Sequence, residues 1–219
     1  LTPVLMEQLA DEYMLERLAE YIQDRIMRAE KDVERFSACS DMKMKNLAAI
    51  YKEQYSRIFT LFADKYNRDI IGGFRRLQDA GCVEIITSAA THGYLPLLST
   101  DTSIAAQLKI GVDTYEKYFG KRPKGIWLPE CGYRPAVESV DGEDLNRRVG
   151  MESFLEELDI EYFFVDTHAV KGGKAVGLYV RNSQNKELVE FDFGKDTGKT
   201  TFRPYYLEDS NVSVFARDE

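Results

Sequence analysis

Residue types that often carry chemistry are scarce in this 219-residue chain, which has two histidines, three cysteines and one tryptophan. Cys39, Cys82 and Cys131 are odd in number and far apart. This pattern indicates free thiols in a reducing cytoplasm rather than a disulfide framework. Because His92 and His168 are the only histidines, their positions in the fold are informative.

Positive charge is also in short supply, because 29 lysines and arginines face 37 acidic residues and the net charge is −8. Binding to phosphate backbones needs a basic surface, so the sequence predicts no nucleic-acid partner. No apolar run is long enough to cross a bilayer and no signal segment opens the chain, so we expect no membrane partner. Apolar residues still make up 44% of the chain, enough for a substantial core.

The hydrophobic pattern changes along the chain from long helices to alternating strands and helices. Residues 12–66 have the three-to-four periodicity of amphipathic helices and read as a helical insertion. After residue 82 short apolar runs alternate with helical segments, which is typical of a parallel sheet and therefore of an α/β fold. The predicted strands are 82–90, 125–130 and 160–166. The predicted helices are 103–119 and about 148–158, and a loop at Asp141 and Gly142 precedes the second of them.

Residues 171–200 differ from the rest because they are rich in polar turn residues. Strand-like pieces at 175–180 and 188–193 predict an irregular β excursion. A further apolar piece at 212–216 then predicts a return to the main sheet.

Polar side chains follow each predicted strand of the sheet. His92 follows the first strand, Glu130 ends the second, and Asp166 and His168 follow the third. Arg217 comes directly after the piece at 212–216. Because the carboxyl ends of parallel strands meet at one edge, we expect these residues to share a candidate ligand site.

Each of these residues also has a purely structural interpretation. A histidine after a strand often binds a loop carbonyl, which explains His92 as well as a functional role does. Asp166 is equally well explained as the cap of the next turn. Glu130 is harder to explain structurally, since it follows Pro129 and an acid against Trp127 should be partly desolvated.

Three kinds of chemistry suit such a set. His92, Asp166 and His168 are residue types that bind metal ions. A thiol hydrolase would use Cys131, but consecutive residues in an extended chain point to opposite sides, so we interpret Cys131 as a packed thiol beside Glu130.

The third option is a retaining glycosidase, which uses two carboxyl groups roughly 5–5.5 Å apart, one as nucleophile and one as acid and base. Glu130 is the candidate nucleophile. Aromatic residues that stack on sugar rings are available nearby as Tyr94, Trp127 and Tyr133.

Two segments carry a family resemblance, EIITSAATHGYLPLL at 84–98 and GIWLPECGYRP at 125–135. Together they resemble glycoside hydrolase family 57, and their residues are most similar to those of its 1,4-α-glucan branching enzymes. The segments YFFVDTHAV and RPYYLEDSNVSVFARD resemble the same branch. The likeness runs along most of the chain and is weakest in 172–200.

The resemblance implies a distorted or incomplete (β/α)7 TIM-like barrel, with residues 1–219 forming part of this one catalytic domain. It implies a retaining mechanism on α-1,4-glucans without a metal or other cofactor. Glu130 matches the family nucleophile and His92 lines the donor sugar site. Trp127, Tyr133, Asp166, His168 and Arg217 complete the set expected to contact substrate.

Some family features have no match in these residues. The resemblance places a histidine pair upstream of Leu1 and the acid/base aspartate downstream of Glu219, so we expect an internal piece that does not turn over glucan alone. The alternatives are a 4-α-glucanotransferase or α-amylase of the same family, a metal-dependent deacetylase-like barrel, and a non-catalytic glucan-binding remnant.

Overall fold

A computed structural model describes residues 1–136, 148–172, 174–181, 186–192, 194–207 and 210–218. The predicted loop at Asp141 and Gly142 therefore lies outside the described residues. The chain divides into two compact units. One is a helical unit, Val4–Glu84, and the other is an α/β unit made of Ile85–Glu219 together with Leu1–Pro3.

Amphipathic helices make up the helical unit, and aspartates begin three of them. The side chains of Asp11, Asp41 and Asp69 each accept a hydrogen bond from a backbone N–H three residues on, which satisfies a donor that the helix leaves unpaired. A buried cluster of Ala19, Ile22 and Phe62 holds the unit together. The helices are α1 (Pro3–Ala10), α2 (Glu12–Ala38), α3 (Met42–Thr60) and α4 (Ile70–Asp79), with a π-helical turn at Leu61–Lys65.

A five-stranded sheet forms the centre of the α/β unit, and its strand order is β1-β2-β3-β7-β6. The first four strands in that order run parallel, and β6 pairs antiparallel with β7. The prediction of an α/β fold with a mostly parallel sheet is confirmed. The strands are β1 (Thr87–Ser88), β2 (Gly125–Trp127), β3 (Tyr162–Val165), β6 (Tyr205–Tyr206) and β7 (Ser213–Ala216), and the intervening helices are α5 (Asp101–Phe119), α6 (Met151–Glu157) and α7 (Thr167–Lys171).

The first two strands are shorter than the sequence predicts. The predicted strand 82–90 contains only the two residues of β1, because 82–84 are exposed and only Thr87 and Ser88 find partners in β2. The predicted strand 125–130 ends at Trp127. Pro129 cannot donate to a ladder, and a 3₁₀ turn at Pro129–Cys131 replaces the strand there.

Helix α5 packs unusually close to β1 through Gly111. A Cβ atom at that position would lie 2.2 Å from the carbonyl oxygen of Ser88, so only glycine allows this approach. The hydroxyl of Thr87 donates to the carbonyl of Gly111 at 2.7 Å. This contact fixes the strand whose end carries His92.

A separate antiparallel hairpin, β4 (Lys174–Arg181) and β5 (Lys186–Asp192), lies within the predicted β excursion. Its two ends are pinned together, because the N–H of Thr197 donates to the carbonyl of Lys171 at 2.9 Å. The Thr197 hydroxyl also donates to the carbonyl of Val170. The chain therefore leaves the main sheet and returns to it at one point.

No helix within the described residues is long and apolar enough to span a membrane.

Candidate active site

His92 lies in the loop that follows β1, and the backbone and side chain of Gln107 hold that loop. The N–H of Ala90 donates to the Gln107 carbonyl, and the N–H of Thr91 donates to the Gln107 side-chain oxygen at 3.0 Å. His92 itself has a φ of 56°, in the left-handed region. Its Nδ1 lies 3.0 Å from the hydroxyl oxygen of Ser88, so the ring contacts a hydroxyl rather than the loop carbonyl considered from the sequence.

Glu130 lies in the 3₁₀ turn after β2 and has a φ of 53°. Its carboxylate oxygen Oε1 is 3.6 Å from Nε2 of His92, so the structure brings together two residues predicted to share a site. The expectation that Trp127 would desolvate this acid is wrong, since the Glu130 side chain is 77% exposed. The left-handed turn directs the carboxylate away from the apolar strand and leaves it accessible to a ligand.

Asp166 and Arg217 form an ion pair at the ends of the neighbouring strands β3 and β7, with Nη1 of Arg217 3.0 Å from Oδ1 of Asp166. The backbone N–H of Arg217 donates to the carbonyl of Val165, and the Thr167 hydroxyl donates to the carbonyl of Arg217. The capping interpretation of Asp166 is wrong, because its side chain makes no cap hydrogen bond to α7. The carboxylate instead fixes the guanidinium at the strand edge.

Cys131 is buried directly beside this ion pair, as the prediction of a packed thiol requires. Burial raises the pKa of the Cys131 thiol and the Asp166 carboxylate raises it further, while Arg217 acts in the opposite direction. A thiol held in its neutral form is a poor nucleophile. Cys131 therefore links the turn that carries Glu130 to the Asp166–Arg217 pair by packing.

Aromatic rings surround the turn that carries Glu130. The ring of Tyr94 lies against Gly132, where a Cβ atom would be 2.5 Å from it, and Tyr94 remains 43% exposed. Trp127 is only partly buried and stacks on Phe164 with ring centroids 5.3 Å apart. Of these rings, Tyr94 is exposed and lies against the residue that ends the turn.

Tyr133 is held by contacts within the protein. Its ring stacks on Phe163 at 5.4 Å, and its hydroxyl donates to the carboxylate of Glu152 at 2.7 Å. Burial, followed by the nearby Glu152 carboxylate, raises the pKa of the Tyr133 phenol. Its predicted contact with substrate stays a prediction.

His168 is exposed in the first turn of α7, two residues after Asp166. In the part of the chain that the structure describes, no three or more histidine, cysteine or acidic side chains cluster closely enough to hold a metal ion. His92, Asp166 and His168 all belong to that part. The alternative in which these three residues share a metal is therefore not supported by their placement.

Sequence reasoning missed the roles of Ser88 and Gln107, which position the loop and ring of His92. A small hydroxyl residue four positions before a histidine carries little signal by itself. Gln107 is a helical residue whose contact with Thr91 depends on the docking of α5 against the strand.

This arrangement defines a class of protein, an α/β protein whose candidate active site lies at the carboxyl ends of its parallel strands. The family model for glycosyl hydrolase family 57 matches residues 6–219. The chain belongs to that family, as the two signature segments indicated.

Two relatives match most of the chain. It is 48% identical over 218 residues to a 1,4-alpha-glucan branching enzyme of Thermococcus kodakarensis, a match that includes 99% of this chain and 30% of that protein. It is 26% identical over 187 residues, 81% of this chain and 33% of the relative, to a probable 1,4-alpha-glucan branching enzyme of Mycobacterium tuberculosis. The chain thus spans about a third of the length of the relatives it matches.

Solved structures are similar over the same extent. The family 57 branching enzyme of Pyrococcus horikoshii matches with a TM-score of 0.79 and 41% identity, over 99% of this chain and 36% of that one. An alpha-amylase of Thermotoga maritima matches with a TM-score of 0.73 and 31% identity, over 100% of this chain and 35% of that one.

Proposed function

We propose that these residues form part of the active site of a retaining 1,4-α-glucan branching enzyme, which cleaves an α-1,4 bond and transfers the released chain to a 6-hydroxyl. The observation that carries the proposal is the 48% identity to a branching enzyme over 99% of this chain. The exposed carboxylate of Glu130, 3.6 Å from His92, supports it.

Glu130 acts as the nucleophile in this proposal. Its carboxylate attacks the anomeric carbon of an α-1,4-glucan as the bond to the leaving oxygen breaks, and a covalent glycosyl-enzyme forms. The second carboxyl of a retaining mechanism protonates the leaving oxygen and later accepts the proton of the incoming 6-hydroxyl. We assign no residue of this chain to that second carboxyl.

The residues around Glu130 bind the sugar in the proposal. His92 contacts the donor sugar, and the rings of Tyr94, Trp127 and Tyr133 offer apolar faces to sugar rings. Asp166, Arg217 and His168 offer hydrogen-bond partners for hydroxyl groups at the adjoining strand ends. The fixed Asp166–Arg217 pair, at 3.0 Å, supports a preorganised contact.

We further propose that residues 1–219 belong to one catalytic (β/α)7 barrel domain, with 12–66 as a helical insertion and 171–200 as a β excursion. The similarity to family 57 branching enzymes over 99% of the chain supports this. We assign the protein to glycogen-type glucan synthesis in the cytoplasm, which the three free cysteines support.

Replacing Glu130 tests the proposed nucleophile. In the protein that carries this sequence, Glu130→Gln keeps the size of the side chain but removes the attacking carboxylate. We expect chain transfer and hydrolysis of amylose both to fall at least about a thousandfold, which corresponds to about 4 kcal/mol of transition-state stabilisation. The measurement is the rate of formation of α-1,6 branch points and of reducing ends.

Glu157→Gln is the matched control, because Glu157 is an exposed acid at the end of α6. We expect this variant to keep wild-type rates. A Glu130→Gln protein with undiminished transfer and hydrolysis contradicts the assignment of Glu130.

A second candidate function is hydrolysis or disproportionation of α-1,4-glucan, and the likeness to an alpha-amylase at 31% identity favours it. The same assay separates the candidates. Branch points formed from unbranched amylose support the branching enzyme, and short linear products without branch points support an amylase or a 4-α-glucanotransferase.

A further inference from the structure

We propose that Ser88 is a positioning residue that fixes the tautomer of His92, so that Nδ1 of the neutral ring carries the proton and Nε2 is a hydrogen-bond acceptor beside Glu130. The tautomer follows from hydrogen-bond geometry alone. Its role in sugar binding rests on the proposed function.

Among the residues that the structure describes, the hydroxyl of Ser88 has two neighbours at hydrogen-bond distance. Its oxygen lies 2.9 Å from the backbone carbonyl oxygen of Trp127 and 3.0 Å from Nδ1 of His92. A carbonyl oxygen only accepts, and a serine hydroxyl has a single proton to donate. The proton that goes to Trp127 leaves Ser88 as an acceptor toward His92, so Nδ1 must donate.

Ser88 is well placed to enforce this choice. It is 3% exposed, so little water competes for its hydroxyl. Its backbone is held between β2 and helix α5, which approaches closely at Gly111. Because the Trp127 carbonyl is fixed in position, it fixes the direction in which the Ser88 hydroxyl donates, and this determines which nitrogen of the His92 ring is protonated.

The consequence appears on the other side of the ring. A neutral imidazole has one N–H, and the hydrogen bond of one nitrogen sets the state of the other. With the proton on Nδ1, Nε2 presents a lone pair to the Glu130 carboxylate. Their separation of 3.6 Å exceeds hydrogen-bond length, as two acceptors require.

Because Nε2 of His92 and the Glu130 carboxylate both accept hydrogen bonds, a ligand group that binds beside them has to be a hydrogen-bond donor. A sugar hydroxyl placed at Nε2 donates a hydrogen bond to the ring, and Glu130 accepts no hydrogen bond from His92. A histidine with the proton on Nε2 would instead donate to the carboxylate and weaken it as a nucleophile. Ser88 therefore keeps the carboxylate available and orients one substrate hydroxyl.

Nitrogen-15 NMR of the imidazole rings tests the tautomer directly. The ring signals of His92 are identified as those that a His92→Gln variant of the protein lacks. The spectra are recorded at increasing pH, and the tautomer is taken from the alkaline limit at which the His92 signals no longer change. We expect Nδ1 of His92 to show the shift of a protonated ring nitrogen and Nε2 that of an unprotonated one.

Ser88→Ala and Thr87→Val form a matched pair of variants, since each removes one buried hydroxyl from β1. The Ser88 hydroxyl lies at hydrogen-bond distance from His92, whereas the Thr87 hydroxyl donates to Gly111. We expect Ser88→Ala to move the proton toward Nε2, while Thr87→Val keeps the wild-type pattern. A wild-type His92 with its proton on Nε2 overturns the proposal without any variant.

Kinetics test the positioning role separately. In the protein that carries this sequence, we expect Ser88→Ala to lower kcat/KM on amylose by about tenfold, the equivalent of one hydrogen bond. Ser88→Thr should recover much of the loss because it restores a hydroxyl. Wild-type kcat/KM in a folded Ser88→Ala protein overturns that role. If Glu130→Gln stays active, the assignment of Glu130 as nucleophile in the proposed function fails, whereas the NMR result still decides the tautomer.

Discussion

At the scale of single residues, Tyr133 couples the fold to pH. Burial and the hydrogen bond to Glu152 favour the neutral phenol, so the pKa of Tyr133 is raised in the folded state. In the unfolded chain a tyrosine ionises near its ordinary pKa of about 10. The folded state therefore binds more protons above that pH. The stabilising contribution is fully present below pH about 10 and is lost as the pH rises toward the folded value.

Tyr133→Phe removes this dependence. We expect the free energy of unfolding of the wild-type chain to fall with pH above about 10, by up to about 1.4 kcal/mol per pH unit from this group. In Tyr133→Phe that slope is shallower by the same amount. Urea denaturation between about pH 8 and 11 measures it, and Tyr206→Phe, at a 75% exposed position, is the control. Equal slopes in wild type and Tyr133→Phe rule out the coupling.

The meeting of His92 and Glu130 was predictable from sequence because it depends on topology. Residues that follow parallel strands come to one edge whatever the details of the loops. The partners of their side chains were not predictable. Ser88 contacts His92 only because a left-handed loop turns the ring back toward the strand. Likewise, Asp166 pairs with Arg217 and does not cap α7, and this pairing depends on the register of β3 and β7.

At the scale of elements, the contact of α5 with β1 depends on the absence of a side chain at Gly111. Alanine in place of a helical glycine usually stabilises a helix by up to about 1 kcal/mol. Here the added Cβ would meet the Ser88 carbonyl at 2.2 Å, and backbone cannot move aside cheaply. We expect Gly111→Ala to reverse the usual sign and lower the free energy of unfolding by about 1–3 kcal/mol.

Chemical denaturation checks this expectation. Gly93→Ala is the matched control, because the nearest atom to its added Cβ is 3.8 Å away, an ordinary contact. A Gly111→Ala chain as stable as the wild type shows that helix and strand can separate without cost.

Element types were predictable where a pattern is long, and less so where it is short. The periodicity of 103–119 gave a helix that the structure places at Asp101–Phe119. The apolar run 82–90 predicted a strand, but a ladder also needs a partner, and β2 offers β1 only two paired residues. The length of the partner strand cannot be predicted from the residues of the run itself.

At the scale of the whole chain, the hairpin formed by β4 and β5 is an excursion with a closed base. The hydrogen bond from Thr197 to Lys171 joins its two ends. If residues 173–195 are deleted, Gly172 is joined directly to Asp196, and Lys171, Gly172, Asp196 and Thr197 become consecutive. The same hydrogen bond is then the i to i+3 bond of a β-turn. Gly172 already has φ 65° and ψ −150°, close to the first central position of a type II′ turn.

Deleting residues 173–195 should therefore leave the main sheet folded. We expect the midpoint of thermal unfolding to stay within about 5 °C of the wild type, because the shorter loop also costs less entropy to close. Circular dichroism melting measures it. A deletion that also removes Thr197, and with it the contacts to Lys171 and Val170, is the control and should melt lower. Loss of cooperative melting in the first deletion contradicts the expectation.

The left-handed backbone at His92 and Glu130 has a consequence for how this sequence can change. Residues with a Cβ atom lose on the order of 1 kcal/mol or more in that conformation, and glycine does not. The proposed catalytic turn thus holds its side chains at positions where glycine would fit more comfortably. A search for thermostable variants that ignores activity would be drawn toward glycine at these positions. Resistance to such replacement is then a signature of selection for chemistry rather than for folding.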